Sequence, residues 1–217
     1  MSKIGMIFSG GTIEDSFTLK QLKQIQPDFV IGVDKGIDFL YRHQIIPDVV
    51  VGDFDSADSS AIRFYRARED VQIREFQPEK DDTDTEIAIR VALEFGVTKL
   101  WILGATGTRL DHVMANVRLL KLALDAGAAA YLLDLHNKIY LAKGEVRIKR
   151  SEQYGKFFSL LAFEDEVTGL QITGAKYPLQ NFSLPVASGR CVSNEVSEKE
   201  AVITLQSGTL IVFETKD

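Results

Sequence analysis

The chain is short of three things: cysteine, positive charge and long apolar runs. Among its 217 residues only Cys191 carries a thiol, so no disulfide can close within one copy. That usage suits a reducing compartment. Lys and Arg number 25 against 31 Asp and Glu, a formal charge of -6, and the pI is near 5.2. A chain short of cations is a poor match for a phosphate backbone, so no nucleic-acid partner is expected. No apolar run approaches the roughly 20 residues that span a bilayer, so no membrane partner is expected. The opening Met1-Ser2-Lys3-Ile4-Gly5-Met6 lacks the apolar stretch of a secretion signal. These features predict a cytoplasmic location. Repeats, low-complexity tracts and long linkers are also missing, which leaves one large or two small domains with a core that needs no staples.

What the chain does have is acid, concentrated in two places. Val50-Val51-Gly52-Asp53-Phe54-Asp55-Ser56 ends an apolar run, and Lys80-Asp81-Asp82-Thr83-Asp84-Thr85-Glu86 opens an amphipathic one. Clustered carboxylates repel one another unless something neutralises them. A hard divalent cation does this, and Mg²⁺ in particular combines a few carboxylates with substrate phosphates. In an extended segment, side chains at i and i+2 lie on one side, which aims Asp53 and Asp55 the same way. The plainer reading is that loop aspartates cap the following helix. Thr83 and Glu86 have the spacing of a capping box, and Asp84 then suits the first turn. That reading leaves Asp81 and Asp82 as surplus charge.

The residue pattern has two textures. Up to about residue 135, apolar runs at Ile4–Phe8, Phe29–Val33, Val49–Val51, Val71–Phe76, Leu100–Leu103 and Tyr131–Leu133 read as strands. Helical spacing separates some of them, as in Ile87, Val91, Ala92 and Phe95, and again in Leu110, Val113, Met114, Val117 and Leu120. Alternating strands and helices predict a mostly parallel sheet flanked by helices. Farther on, Val146–Ile148, Phe157–Leu161, Leu170–Ile172, Val202–Leu205 and Leu210–Phe213 are short strand candidates, as in a small β-sandwich. Gln206-Ser207-Gly208-Thr209 is expected to join the last two as a hairpin turn. The predicted class is therefore α/β, with an N-terminal domain at 1–135 and a C-terminal β-sandwich at 136–217.

Open parallel sheets bind ligands beyond the carboxyl ends of their strands. Ser9-Gly10-Gly11-Thr12, Asp34-Lys35-Gly36, Gly52 to Ser56 and Gly104-Ala105-Thr106-Gly107-Thr108-Arg109 all fall at such ends, and Lys80 to Asp84 follows another. A glycine-rich turn at a helix start exposes N–H groups to phosphate, and Arg109 beside it offers a bidentate grip. The turn matches neither the Walker pattern nor G-x-G-x-x-G, and by itself it is equally a tight strand-to-helix connection. Asp111 and His112 are either first-turn surface residues or part of the same site.

Together, Pro47 to Ser56, Lys80 to Asp84, Gly107 to His112 with Ala115-Asn116, Lys176-Tyr177-Pro178-Leu179 and Ser193-Asn194-Glu195 resemble the thiamine pyrophosphokinase family, in order and over nearly the whole chain. Two departures are Lys35, where that family usually has glycine, and Thr108, which replaces the second of the two glycines usual before the arginine and narrows backbone freedom there. The resemblance implies an α/β catalytic domain that binds ATP and Mg²⁺, a thiamine-binding β-sandwich and a homodimer with thiamine near the subunit interface. It implies transfer of a diphosphoryl group from ATP to thiamine. Charge and resemblance assign Asp53, Asp55 and Asp84 to metal. Asp34, Asp81, Arg109, Asp111 and His112 are assigned to nucleotide, and Lys80, Ser193 and Asn194 to substrate. Two further classes stay open. One is a haloacid-dehalogenase-like phosphatase, whose strand-end Asp-x-Asp carries a covalent nucleophile. The other is a non-catalytic thiamine or nucleotide sensor.

Overall fold

A computed structural model describes residues 2–54, 58–76 and 82–217. The chain divides into two compact units, Met1–Leu135 and His136–Asp217.

The first unit alternates β1 (Ile4–Phe8), α1 (Asp15–Ile25), β2 (Phe29–Val33), α2 (Lys35–Arg42), β3 (Val49–Gly52), α3 (Ser59–Arg66), β4 (Gln72–Glu75), α4 (Asp84–Glu94), β5 (Lys99–Leu103), α5 (Leu110–Asp125) and β6 (Ala129–Leu133). Its strands run parallel in the order β6-β5-β1-β2-β3-β4. The central strands are buried at nearly every residue, as in β2 and β3. Side chains on alternate sides are both covered, as a parallel sheet requires. Met6, Phe8, Val30 and Val50 pack with Ile37, Phe39, Leu40 and Tyr65 of α2 and α3. The alternate residues Ile7, Ile31 and Val51 are equally buried, and period-two alternation points them to the opposite face.

The strand order decides where a ligand can enter. From β1 the chain moves through β2, β3 and β4 to one side, then returns to place β5 on the other side of β1. The order therefore reverses between β1 and β5, and the crevice beyond their carboxyl ends is the place where open sheets take ligands.

The second unit is antiparallel. One sheet has the order β11-β10-β13-β8, formed by β8 (Glu145–Lys149), β10 (Glu166–Thr173), β11 (Leu179–Pro185) and β13 (Glu200–Thr204). Facing it are β7 (Asn137–Ala142), β9 (Phe157–Ala162), β12 (Asn194–Glu195) and β14 (Leu210–Thr215), in the order β12-β9-β14-β7. Burial alternates along β8, β9, β13 and β14. The inward residues Val146, Ile148, Leu160, Ile172, Ile203 and Val212 share one core. This is a sandwich.

One expectation fails here. Gln206 to Thr209 does not close a hairpin. β13 pairs with β8 and β10, whereas β14 pairs with β7 and β9. The connection carries the chain from one sheet to the other, and Ser207 bridges to Thr168 on the way. Among the described residues no helix is long and apolar enough to cross a membrane.

Candidate active site

The crevice between β1 and β5 is a cavity of about 410 Å³, lined by segments 9–12 and 104–109, by Asp34 and Lys35, and by Thr85, His112 and Asn116. The two loops are stitched by backbone bonds, from Gly11 N–H to the Gly104 carbonyl at 2.7 Å and from Thr12 N–H to the Thr106 carbonyl at 2.8 Å. Glycine is needed for that approach. A Cβ on Gly11 would stand 2.5 Å from both the Gly104 and Thr106 carbonyl oxygens. Gly104 itself sits at φ +68, a conformation costly for residues with a Cβ.

Buried polar pairs fix the walls. The Ser9 and Thr85 hydroxyls lie 2.6 Å apart, tying the end of β1 to the first turn of α4. Asn116 donates to the Ala105 carbonyl at 2.7 Å, and Thr106 donates to the Asp134 carboxylate at 2.8 Å. The Asn116 amide is thus a brace for the loop after β5. No local pattern in the sequence pairs these residues with one another, because the partners lie 11 to 76 residues apart.

The carboxylates converge beside this cavity. Asp34 follows β2, Asp53 follows β3 and Asp84 opens α4. Each is half-buried, and each offers an oxygen within 4.8 Å of the others. Asp34 holds φ 47 and ψ -128, a conformation that L residues rarely adopt and that surrounding structure must impose. The capping alternative for Asp53 does not hold, because the N-cap of α3 is Asp58, which accepts from Ser60 N–H. Thr83 caps α4 as expected, accepting from Glu86 N–H at 3.2 Å. The Glu86 carboxylate turns instead to Arg90, four residues on, at 2.6 Å. Asp55, Lys80 and Asp81 lie outside the described residues.

Arg109 is the N-cap residue of α5 and lines the cavity. Its guanidinium forks onto Asp111, with Nη2 2.6 Å and Nε 3.3 Å from the two carboxylate oxygens. Those bonds hold the Asp111 carboxyl down at about 2. Both side chains are exposed, at 69% and 64%, so solvent screens the pair and a competing anion can take the guanidinium. Asp111 does not itself line the cavity, whereas the exposed His112 does. Thr108 also lines it, and it is not among the residues with positive φ. The narrowing expected from this departure therefore costs nothing, since the backbone there suits a residue with a Cβ.

In the second unit, Asn194 lines a groove of about 390 Å³ with Lys176, Tyr177, Arg190 and Val192, whereas the neighbouring Ser193 is not part of its lining. Asn194 is buried, and its carbonyl oxygen accepts from Tyr177 N–H at 3.0 Å and Glu195 N–H at 2.9 Å. Its amide donates to the Tyr177 carbonyl at 2.8 Å. Ser193 has φ 59, an exposed side chain and a backbone N–H bonded to the Ser159 hydroxyl at 3.0 Å. Lys176 pairs with Glu195 at 2.8 Å. Tyr177, which lines the groove, is 58% exposed.

Both units have counterparts among known proteins. Residues 20–132 match the family model "Thiamin pyrophosphokinase, catalytic domain", and residues 143–210 match "Thiamin pyrophosphokinase, vitamin B1 binding domain". A thiamine pyrophosphokinase of Bacillus subtilis (strain 168) is 34% identical over 189 residues, spanning 86% of this chain and 87% of the relative. The crystal structure of thiamine pyrophosphokinase from Bacillus subtilis has a TM-score of 0.87 at 30% identity, with 100% of both chains covered. The thiamin pyrophosphokinase structure from Geobacillus thermodenitrificans has a TM-score of 0.84 at 27% identity, covering 99% of this chain and 98% of that one.

Proposed function

Because the chain belongs to the thiamine pyrophosphokinase family, we propose that it is a thiamine diphosphokinase that moves the diphosphoryl group of ATP to the hydroxyl of thiamine. The hydroxyl oxygen forms a bond to the β-phosphorus, and the bond from that phosphorus to the α–β bridging oxygen breaks. AMP leaves, and the hydroxyl proton passes to a base. AMP, not ADP, is therefore the diagnostic product.

The observation that carries the reading is the meeting of Asp34, Asp53 and Asp84 beside a cavity at the sheet's reversal point. Three carboxylate oxygens this close form a hard donor set that fits Mg²⁺. We assign Asp53 and Asp84 to it, with Asp34 beside them and Asp55 expected to join. When bound, Mg²⁺ would offset the charge that builds on the phosphate oxygens during transfer. The chain's own residues do the rest. Arg109 grips phosphate through its fork, and Asp111 keeps that fork oriented until phosphate arrives. The N–H groups of the loop after β5, with His112, face the nucleotide, and Asp81 is a further nucleotide contact. In the second unit Ser193 contacts thiamine, and Asn194 does so while holding the Tyr177 segment in place. Lys80 is assigned to substrate.

A homodimer is part of the proposal. Leu110 and Met114, 73% and 57% exposed, lie one turn apart on α5, apolar surface that a partner would cover. We also place the protein in the cytoplasm, where ATP is available.

The test is an incubation with thiamine, ATP and Mg²⁺, followed by separation of nucleotides and thiamine species. Thiamine diphosphate and AMP in equal amounts, abolished by chelator, is the expected result. ADP or free phosphate without AMP would sink the reading and point to a kinase or phosphatase on this scaffold. Tight thiamine binding without turnover would point to a sensor.

A further inference from the structure

We propose that Lys35 is a phosphate-binding cation of the nucleotide site, which holds the phosphate chain of ATP at the cavity wall. The inference rests on the reaction read above, but it concerns a residue that reading does not use. Among the described residues, two cationic side chains line the cavity, Lys35 and Arg109. Arg109 is engaged by Asp111 through two bonds. Lys35 has an exposed side chain and no hydrogen-bond or ion-pair partner among the described residues.

Its place in the fold is unfavourable for a lysine. It is the first residue of α2, behind the N-cap Asp34, whose side chain makes no cap bond. A cation at a helix N-terminus opposes the helix dipole, so the helix itself gives no reason to keep it. The acid nearest along the helix, Asp38, already accepts from Asp58 N–H at 2.8 Å. Next to Lys35, Asp34 belongs to the three-carboxylate cluster. An ammonium on a flexible four-carbon stem can reach past that cluster to an anion, and its compact charge suits phosphate oxygens. A polyphosphate whose metal is held by the aspartates would run beside it.

Lys35→Ala, Lys35→Gln and Lys35→Arg would be titrated with ATP in the presence of Mg²⁺ by calorimetry and assayed for AMP release. Loss of one charge-assisted phosphate contact should raise the Kd and KM for ATP about tenfold in the Ala and Gln variants. The kcat should change far less, as should the KM for thiamine. Lys35→Arg should recover most of the affinity. The thermal transition of Lys35→Ala should hold or rise, because the N-terminal cation is gone. An ATP affinity within about twofold of wild type in Lys35→Ala would overturn the inference. So would parallel loss of ATP and thiamine affinity with a lowered transition, the mark of a folding defect. If the wild type releases no AMP, the reaction read above fails while the ATP titration still decides Lys35. If AMP is released and the titration is indifferent, only Lys35 falls.

Discussion

The two units treat the polar groups of their cavities in opposite ways. In the first, three half-buried carboxylates crowd together, and one aspartate is held at φ 47. In the second, Asn194 spends its carbonyl oxygen and one amide hydrogen on its own backbone surroundings, and Lys176 is matched by Glu195. The first site holds charge that an incoming cation and polyphosphate would balance. The second is largely balanced already and offers a shaped groove with an exposed ring. That difference fits the chemistry assigned to each: one unit handles charged phosphates during bond transfer, and the other positions an organic substrate.

The contrast can be broken from either side. The largest effect is expected at the carboxylates. Asp84→Asn should lower kcat by on the order of 10²-fold or more while leaving the fold intact. Steady-state AMP release compared with circular dichroism checks this, and near-wild-type turnover would remove Asp84 from the metal set. Next comes the backbone of the same cavity. Gly11→Ala places a Cβ 2.5 Å from two carbonyl oxygens, so the loops must part. Overpacking of this kind costs about 1–3 kcal/mol, readable by denaturant titration, and ATP affinity should fall with it.

In the second unit the order of effects should reverse. Asn194→Ala leaves the Tyr177 and Glu195 backbone groups without their partner, which should cost about 1–2 kcal/mol of stability. The KM for thiamine should rise, while ATP binding measured alone should not change. Loss of ATP binding in this variant would blur the proposed division of labour.

A smaller effect concerns pH. The Asp111 carboxyl sits at about 2 because Arg109 holds its charged form. A folded value below the unfolded one means that the pair's contribution is complete above the ordinary carboxylate range and is lost as pH falls through about 2. Carboxyl NMR titration should find that midpoint, and Arg109→Lys should move it back up. The same variant should weaken ATP use, because it keeps the charge and loses the fork. The smallest effect is expected at Thr108→Gly. Thr108 is not at positive φ, so restoring the family's residue should leave kcat/KM within about twofold, as initial rates would tell.

Much of this was legible in the residues, and the exceptions have physical reasons. The central parallel strands β1, β2 and β3 read clearly because each is a short apolar run with most residues buried, whereas the edge strand β4, Gln72–Glu75, has no buried residue. Thr83 was legible as a cap because capping is local. The convergence of Asp34, Asp53 and Asp84 follows from strand-end positions once the sheet is taken as parallel. The second unit was harder to read. β11, Leu179–Pro185, has one buried residue in seven, lies at a sheet edge and pairs with register shifts, so it carries no clean alternation. β7 begins with Asn137 and Lys138, which do not announce a strand. The failed hairpin at Gln206 to Thr209 shows that a turn-like sequence between two strands does not fix which strands pair. Ser9 with Thr85, and Asn116 with Ala105, are braces between distant segments that no local pattern signals.

The most direct test of the central claim is a crystal of this protein grown with Mn²⁺ and a non-hydrolysable ATP analogue, with anomalous scattering used to locate the metal. The account predicts a peak bound by oxygens of Asp53 and Asp84, close to Asp34, with the phosphates reaching toward Arg109. A metal held away from those carboxylates, or a nucleotide bound outside the crevice between β1 and β5, would contradict it.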